Sequence, residues 1–251
     1  MIDMIKYLVF DVDNTLLDFD MSLYRAEKVI ADRFGIQFTE DYFTRTAEMI
    51  NAAWGEYQMS NTSVPEIQNE WHRRYRDFLL YHYEELSKRY CIDCDAHDLV
   101  ELHFQSIAEI HHTMEKETLE VYARLSKRFR NVLASNSVNE IRGRFSPFVP
   151  YTYKVFISDE IHAIKPGSMF FETVISGLAC EPAECLMIGD SISDDMKGAK
   201  SAGFCTCWYR RGKDKLECEY ADYYIDSIAE LPGLLKKISG IKTRGGTIHE
   251  G

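Results

Sequence analysis

The pattern of apolar and polar positions changes character twice along the chain. At the start, Tyr7, Leu8, Val9 and Phe10 form an unbroken apolar run that gives way to Asp11, Asp13, Asn14 and Thr15. A short run rich in β-formers and bounded by polar residues predicts a strand buried on both faces, as in the middle of a parallel sheet. The strand period of two carries Asp11 and Asp13 to the same side. Two carboxylates about 4 Å apart repel by roughly 4 kcal/mol at an effective dielectric near 20, so a cation, a shared proton or solvation has to offset them.

From residue 21 to about 111 the spacing turns helical. Leu23, Ala26, Val29, Ile30 and Phe34 lie on one face, with Gly35 as a stop. Residues 41–57 repeat the pattern through Phe43, Ala47, Ile50 and Trp54. Pro65 opens a long helix over 65–89 that carries Trp71, Tyr75, Phe78, Leu79 and Tyr83, and a further helix covers 96–111. No strand is expected in this block. Beyond residue 117 helices and strands alternate. Helices are expected at 118–129, 169–178, 196–202 and 227–238, and strands at 131–135, 154–158, 184–189, 205–208 and 223–225. The Gly-rich tail 242–251 is expected to fray. Such alternation predicts an α/β fold with a parallel sheet flanked by helices. The sheet is thus built from residues 1–17 and 112–251, and an all-helical domain, 18–111, is inserted as a cap.

Composition narrows the range of partners. The chain has 251 residues, 27 % of them charged, with a net charge of −11. That balance argues against a nucleic-acid polymer or an anionic membrane as partner and leaves room for a small phosphorylated metabolite held by local positive charge. Seven Cys, an odd number, read as reduced thiols of a cytoplasmic protein. Cys91 with Cys94 and Cys205 with Cys207 have spacings compatible with zinc, but the latter pair sits in an apolar run where Cys acts as a small hydrophobe. No basic-then-apolar leader and no apolar run of membrane-spanning length is expected.

Three more polar punctuations follow predicted strands: Ser135 with Asn136, Lys165, and Asp190 with Asp194 and Asp195. In a parallel sheet all these ends lie along one edge, where open α/β sheets bind ligands. That edge gathers five aspartates around one lysine and one hydroxyl. Clustered carboxylates without histidine suit a hard cation with oxygen ligands, Mg²⁺ rather than Zn²⁺. Each residue also has a plainer reading. Asp11 and Asp194 are good helix or turn caps, Ser135 and Asn136 common turn formers, and Thr15 a turn hydrogen-bonder. The aromatic residues of the helical block serve either its own core or a nucleobase.

The four segments taken together resemble the haloacid dehalogenase-like (HAD) hydrolase superfamily, with a Rossmann-like core and a C1-type cap. Phe10 to Asp20, Ile157 to Ile161 and Ala202 to Trp208 are similar to the branch of YjjG-type nucleotide 5′-monophosphatases, departing at Ser137, where many members have Gly. The resemblance implies that Asp11 is the nucleophile and Asp13 the general acid and base. Mg²⁺ would be held by Asp11, the backbone carbonyl of Asp13 and Asp190. Ser135, Asn136 and Lys165 would bind the phosphoryl group, with Thr15, Asp194 and Asp195 supporting. The implied activity is Mg²⁺-dependent hydrolysis of a phosphomonoester through an aspartyl-phosphate, nucleoside 5′-monophosphates first, by a monomer or small homo-oligomer. Sugar phosphate or phosphoglycolate hydrolysis, phosphomutation and 2-haloacid dehalogenation are the alternatives. The acid at position 13 argues against the last.

Overall fold

The computed structural model describes residues 5–212 and 217–241, so the tail expected to fray at 242–251 lies outside the described residues. Six strands follow in chain order: β1 (Tyr7–Phe10), β2 (Arg130–Ser135), β3 (Lys154–Ile157), β4 (Cys185–Gly189), β5 (Cys205–Tyr209) and β6 (Tyr223–Ile225). They pair in parallel, in the spatial order β3-β2-β1-β4-β5-β6. The winding direction reverses between β1 and β4. In open α/β sheets a crevice forms there, outside the carboxyl ends of the strands.

Four helices separate β1 from the rest of the sheet: α1 (Phe19–Arg33), α2 (Glu40–Glu56), α3 (Pro65–Tyr90) and α4 (Ala96–Glu109). Their starts are fixed locally. The side chains of Asp18, Thr39 and Asp95 each accept from a backbone N–H of the first turn, and Pro65 opens α3. The later helices are α5 (Thr118–Leu125), α6 (Ser158–Ile161), α7 (Ser168–Leu178), α8 (Gly198–Ser201) and α9 (Leu231–Ile241).

The period of two along each strand splits the core. Leu8, Phe10, Leu133, Leu186 and Ile188 pack on Val121, Tyr122 and Leu125 of α5 and on Leu231 and Leu235 of α9. Tyr7, Val9, Val132, Ala134 and Met187 face Phe170, Phe171, Val174 and Leu178 of α7 and Ala199 of α8. Both sheet faces are therefore covered, which is why the strands read as continuous apolar runs. A third cluster belongs to α1–α4, with Trp71, Tyr75, Phe78, Leu79 and Tyr83 at its centre, and Val138, Ile141 and Ile164 from the sheet loops join it. No described helix is long and apolar enough to cross a membrane.

Several segments differ from the sequence expectation. The helix expected at 118–129 stops at Leu125. Residues 139–145 and 149–151 form 3-10 turns that no sustained apolar period signals. The helix expected at 196–202 begins earlier, with a wide π turn over Ile192–Lys197 that continues into α8. Such turns recur at functional sites because they re-aim adjacent side chains.

Candidate active site

The strand period ends with β1 at Phe10, so Asp11 and Asp13 are placed by a turn and take different partners. The N–H groups of Thr15, Leu16 and Leu17 all donate to the carbonyl of Val12, and Asn14 adopts a left-handed φ of 59°. Asn tolerates that conformation through local hydrogen bonding, and here its side chain accepts from the N–H of Phe19, the first residue of α1. The turn is thus tied to the start of the helical block.

Asp11 and Lys165 form the buried heart of the site. Lys165 is 2 % exposed, and the three protons of its ammonium are all used. It donates to Asp11 Oδ1 at 2.6 Å, to Asp195 Oδ1 at 2.7 Å and to the carbonyl of Ala134 at 3.0 Å. Burial opposes the ammonium charge, but the two carboxylates outweigh it and hold the Lys165 pKa above its ordinary range. Burial pushes the Asp11 carboxyl up to about 7, with Lys165 opposing and Asp195 and Asp13 adding to the rise. Asp195 is pushed up to about 6, again by burial first, with Lys165 opposing and Asp190 reinforcing. Lys165 is itself held from behind: Asn136 accepts from its backbone N–H at 2.8 Å and donates to its carbonyl at 2.9 Å. Asn136 was expected on the phosphoryl group; in the structure its amide braces the lysine.

The carboxylates of Asp11, Asp190 and Asp195 converge, with one oxygen of each within 4.8 Å of the others. Among the described residues no cysteine set forms such a group, and all seven thiols are free. The Asp13 carboxylate is not part of it; the expectation drew on that residue through its backbone carbonyl. Asp190 is fixed by its carbonyl, which accepts from Trp208 Nε1 at 2.9 Å, while Arg211 approaches its carboxylate at 3.5 Å. Both Asp195 oxygens are engaged, one by Lys165 and the other by the N–H of Ser191 at 3.1 Å. That leaves Asp11 and Asp190 as the carboxylates best suited to a cation. An all-oxygen donor set in which burial crowds negative charge fits Mg²⁺.

The π turn separates the two neighbouring acids. Asp195 points inward to Lys165, whereas Asp194 accepts from the Thr62 hydroxyl of the α2–α3 loop at 2.6 Å. The sequence did not distinguish them. Gly189 is required here, since a Cβ on it would meet Asp195 Oδ2 at 2.2 Å. Ser135, at the end of β2, is 1 % exposed and its hydroxyl is without a hydrogen-bond partner. Thr15 Oγ1 is likewise buried and unpartnered. A cleft of about 380 Å³ opens beside Asp11, Lys165 and Asp190. Its floor includes Asp11, Asp13, Lys165, Asp190 and Ser137, and its roof is Phe19, Trp54, Met59, Thr62, Trp71 and Tyr75 from the helical block.

The sequence reading missed Arg144. The residue is 1 % exposed and its guanidinium grips both oxygens of Asp13, Nη2 to Oδ2 at 2.8 Å and Nη1 to Oδ1. The one available signal was weak: Arg144 follows buried Ile141 by three residues, the period of the 3-10 turn that carries both.

Comparison with known proteins gives a consistent result. A family model described as HAD-hydrolase-like matches residues 162–231. The pyrimidine 5′-nucleotidase PynA of Streptococcus pneumoniae is 30 % identical over 226 residues, which span 81 % of this chain and 83 % of that protein. The pyrimidine 5′-nucleotidase YjjG of Escherichia coli is 22 % identical over 92 % of this chain and 98 % of its own. Among solved structures, the HAD-hydrolase YfnB of Bacillus subtilis bound to magnesium superposes with a TM-score of 0.72 at 23 % identity, over 93 % of this chain and 99 % of that one.

Proposed function

The chain belongs to the HAD-like hydrolases, a phosphatase-containing family of enzymes, and from that premise we propose that it is a Mg²⁺-dependent phosphomonoesterase acting on nucleoside 5′-monophosphates, pyrimidine nucleotides first. The observation that carries this reading is the buried Lys165 held between Asp11 and Asp195 beside Asp190, at the switch point of the sheet. A nucleophilic carboxylate, a cation-binding partner and a fixed positive charge lie within one cleft.

In this reading Asp11 attacks phosphorus, forming a bond from its carboxylate oxygen while the bond to the leaving oxygen breaks. Lys165, already hydrogen-bonded to Asp11, orients that carboxylate and offsets charge on the transferring phosphoryl group. The unpartnered Ser135 hydroxyl supplies a further donor to a phosphoryl oxygen. Asp13 gives its proton to the departing alkoxide and later takes one from the water that attacks the aspartyl-phosphate. Mg²⁺, held by Asp11, Asp190 and the Asp13 carbonyl, would supply charge neutralisation at the phosphate oxygens. Residues 18–111 act as a cap over residues 1–17 and 112–251, and the indoles of Trp54 and Trp71 and the ring of Tyr75 give the roof an apolar, aromatic face suited to a flat base. The two nucleotidase relatives support that substrate class. Seven free thiols support a reducing, cytoplasmic setting.

The test is a phosphate-release screen with Mg²⁺ over nucleoside 5′-monophosphates, sugar phosphates, phosphoglycolate and a 2-haloacid. Hydrolysis of pyrimidine nucleotides ahead of the others, abolished by EDTA, is expected. Full activity in EDTA, or halide release without metal, would contradict the reading.

A further inference from the structure

Asp13 faces the cleft yet is not gripped by the group that holds Asp11. Its partner is Arg144, on the 3-10 turn that follows β2. The contact is a planar fork on both carboxylate oxygens, with Nη2 also donating to Ser137 Oγ at 3.1 Å. The guanidinium lies over two rings, 5.2 Å from the centre of Phe19 and 5.1 Å from that of Phe145. The Arg144 carbonyl accepts from His111 Nδ1 at 3.1 Å. Arg144 is therefore packed on two rings, while the Asp13 side chain keeps 25 % of its surface exposed. The rigid partner is the arginine, and the carboxylate is the group being aimed.

A carboxylate offers about four lone-pair positions, and a fork occupies two of them in one plane. The carboxylate lines the cleft with part of its surface exposed, which leaves room for a second partner there. The fork thus fixes the rotation of Asp13 without consuming the side of it that a leaving oxygen would meet. Lysine could supply the charge but not the plane.

We propose that Arg144 is a positioning residue for leaving-group departure: it sets the plane and direction of the Asp13 carboxyl and acts on the reaction only through it. The proposal rests on the phosphomonoesterase reading of the site. In the step concerned, the bond from phosphorus to the ester oxygen breaks, the bond to Asp11 forms, and the Asp13 proton passes to the departing oxygen. Arg144 touches none of the reacting atoms.

The experiment compares kcat/KM, which ends with departure of the leaving group, for a pyrimidine nucleoside 5′-monophosphate and for p-nitrophenyl phosphate. The alkoxide of the nucleotide needs a proton to leave, whereas nitrophenolate does not. Arg144→Met should lose about 100-fold on the nucleotide, the scale of a misplaced acid, and less than about fivefold on p-nitrophenyl phosphate. Arg144→Lys, which keeps the charge and most of the volume, should fall between wild type and Arg144→Met. On an Asp13→Asn background Arg144→Met should cost the nucleotide reaction nothing further. Equal losses on the two substrates, or an undiminished loss in the Asp13→Asn background, would overturn the proposal and leave Arg144 a structural or substrate-binding group. Should the wild type ignore nucleotides, the same ratio measured with whichever alkyl phosphate it hydrolyses decides the role of Arg144, so the two readings fail separately.

Discussion

Replacing Lys165 by Met removes the ammonium and keeps the volume of the stem. In the metal-free protein it leaves Asp11 and Asp195 facing each other without their shared cation. Their oxygens lie within 4.8 Å. At an effective dielectric of about 20, two unit charges at that separation repel by about 3.5 kcal/mol. Breaking a buried pair by removing one partner costs about 3–5 kcal/mol in general, so two independent routes reach the same scale. The cost depends on pH. Both carboxyls already have folded pKa values, about 7 and about 6, above the unfolded value of 3.8. Stability held by a raised carboxyl is present at low pH and lost as pH rises through the folded pKa. Loss of the ammonium raises both pKa values further, so the variant loses stability more steeply with pH than the wild type. Urea unfolding in EDTA should show Lys165→Met destabilised by about 3–5 kcal/mol at pH 8 and by much less at pH 5, where protons neutralise the pair. A variant as stable as the wild type at pH 8, or one equally destabilised at both pH values, would refute the reasoning.

Other consequences follow from the same geometry. Mg²⁺ affinity should rise between about pH 5 and pH 8, because binding needs ionised carboxylates and releases protons, and calorimetry in buffers of different ionisation enthalpy would count them. Gly189→Ala should fold but lose most activity and Mg²⁺ affinity, since its Cβ displaces the Asp195 carboxylate from Lys165; unchanged kinetics would contradict the assigned packing. Ser135→Ala removes an unpartnered hydroxyl, so it should leave stability within about 1 kcal/mol of wild type. It should nevertheless lower kcat/KM by about ten- to a hundredfold, a loss of about 1.4–2.7 kcal/mol in transition-state stabilisation.

What could be read from the sequence was what local pattern dictates. The run Tyr7–Phe10 announces a buried strand because it has no polar face, and the helical block announces itself through its apolar period and through Gly35 and Pro65 as punctuation. The strand ends then bring Asp11, Ser135 and Asp190 to one edge whatever the details of the loops. Long-range pairing was not legible. Arg144 and Asp13 are 131 residues apart, and only its spacing of three from Ile141 sets Arg144 apart from Arg142, which is exposed and pairs with Glu160. Asp194 and Asp195 are adjacent and chemically identical; only the π turn sends one to Thr62 and the other to Lys165. Asn136 is a turn former by type, and only the tertiary fold shows its amide clasping the backbone of Lys165. Asp11 and Asp13 both reach the cleft, but the strand ends at Phe10 and the turn through left-handed Asn14 gives them different partners, which the strand period alone does not show.

The central claim is that Asp11 carries the phosphoryl group. A single turnover with nucleotide labelled at the phosphate, quenched in acid within milliseconds, tests it most directly. The wild type with Mg²⁺ should retain label on Asp11, located by peptide mapping. Asp13→Asn should retain more label with p-nitrophenyl phosphate as donor, and Asp11→Asn should retain none. Label trapped on the Asp11→Asn variant, or on a different residue of the wild type, would contradict the account.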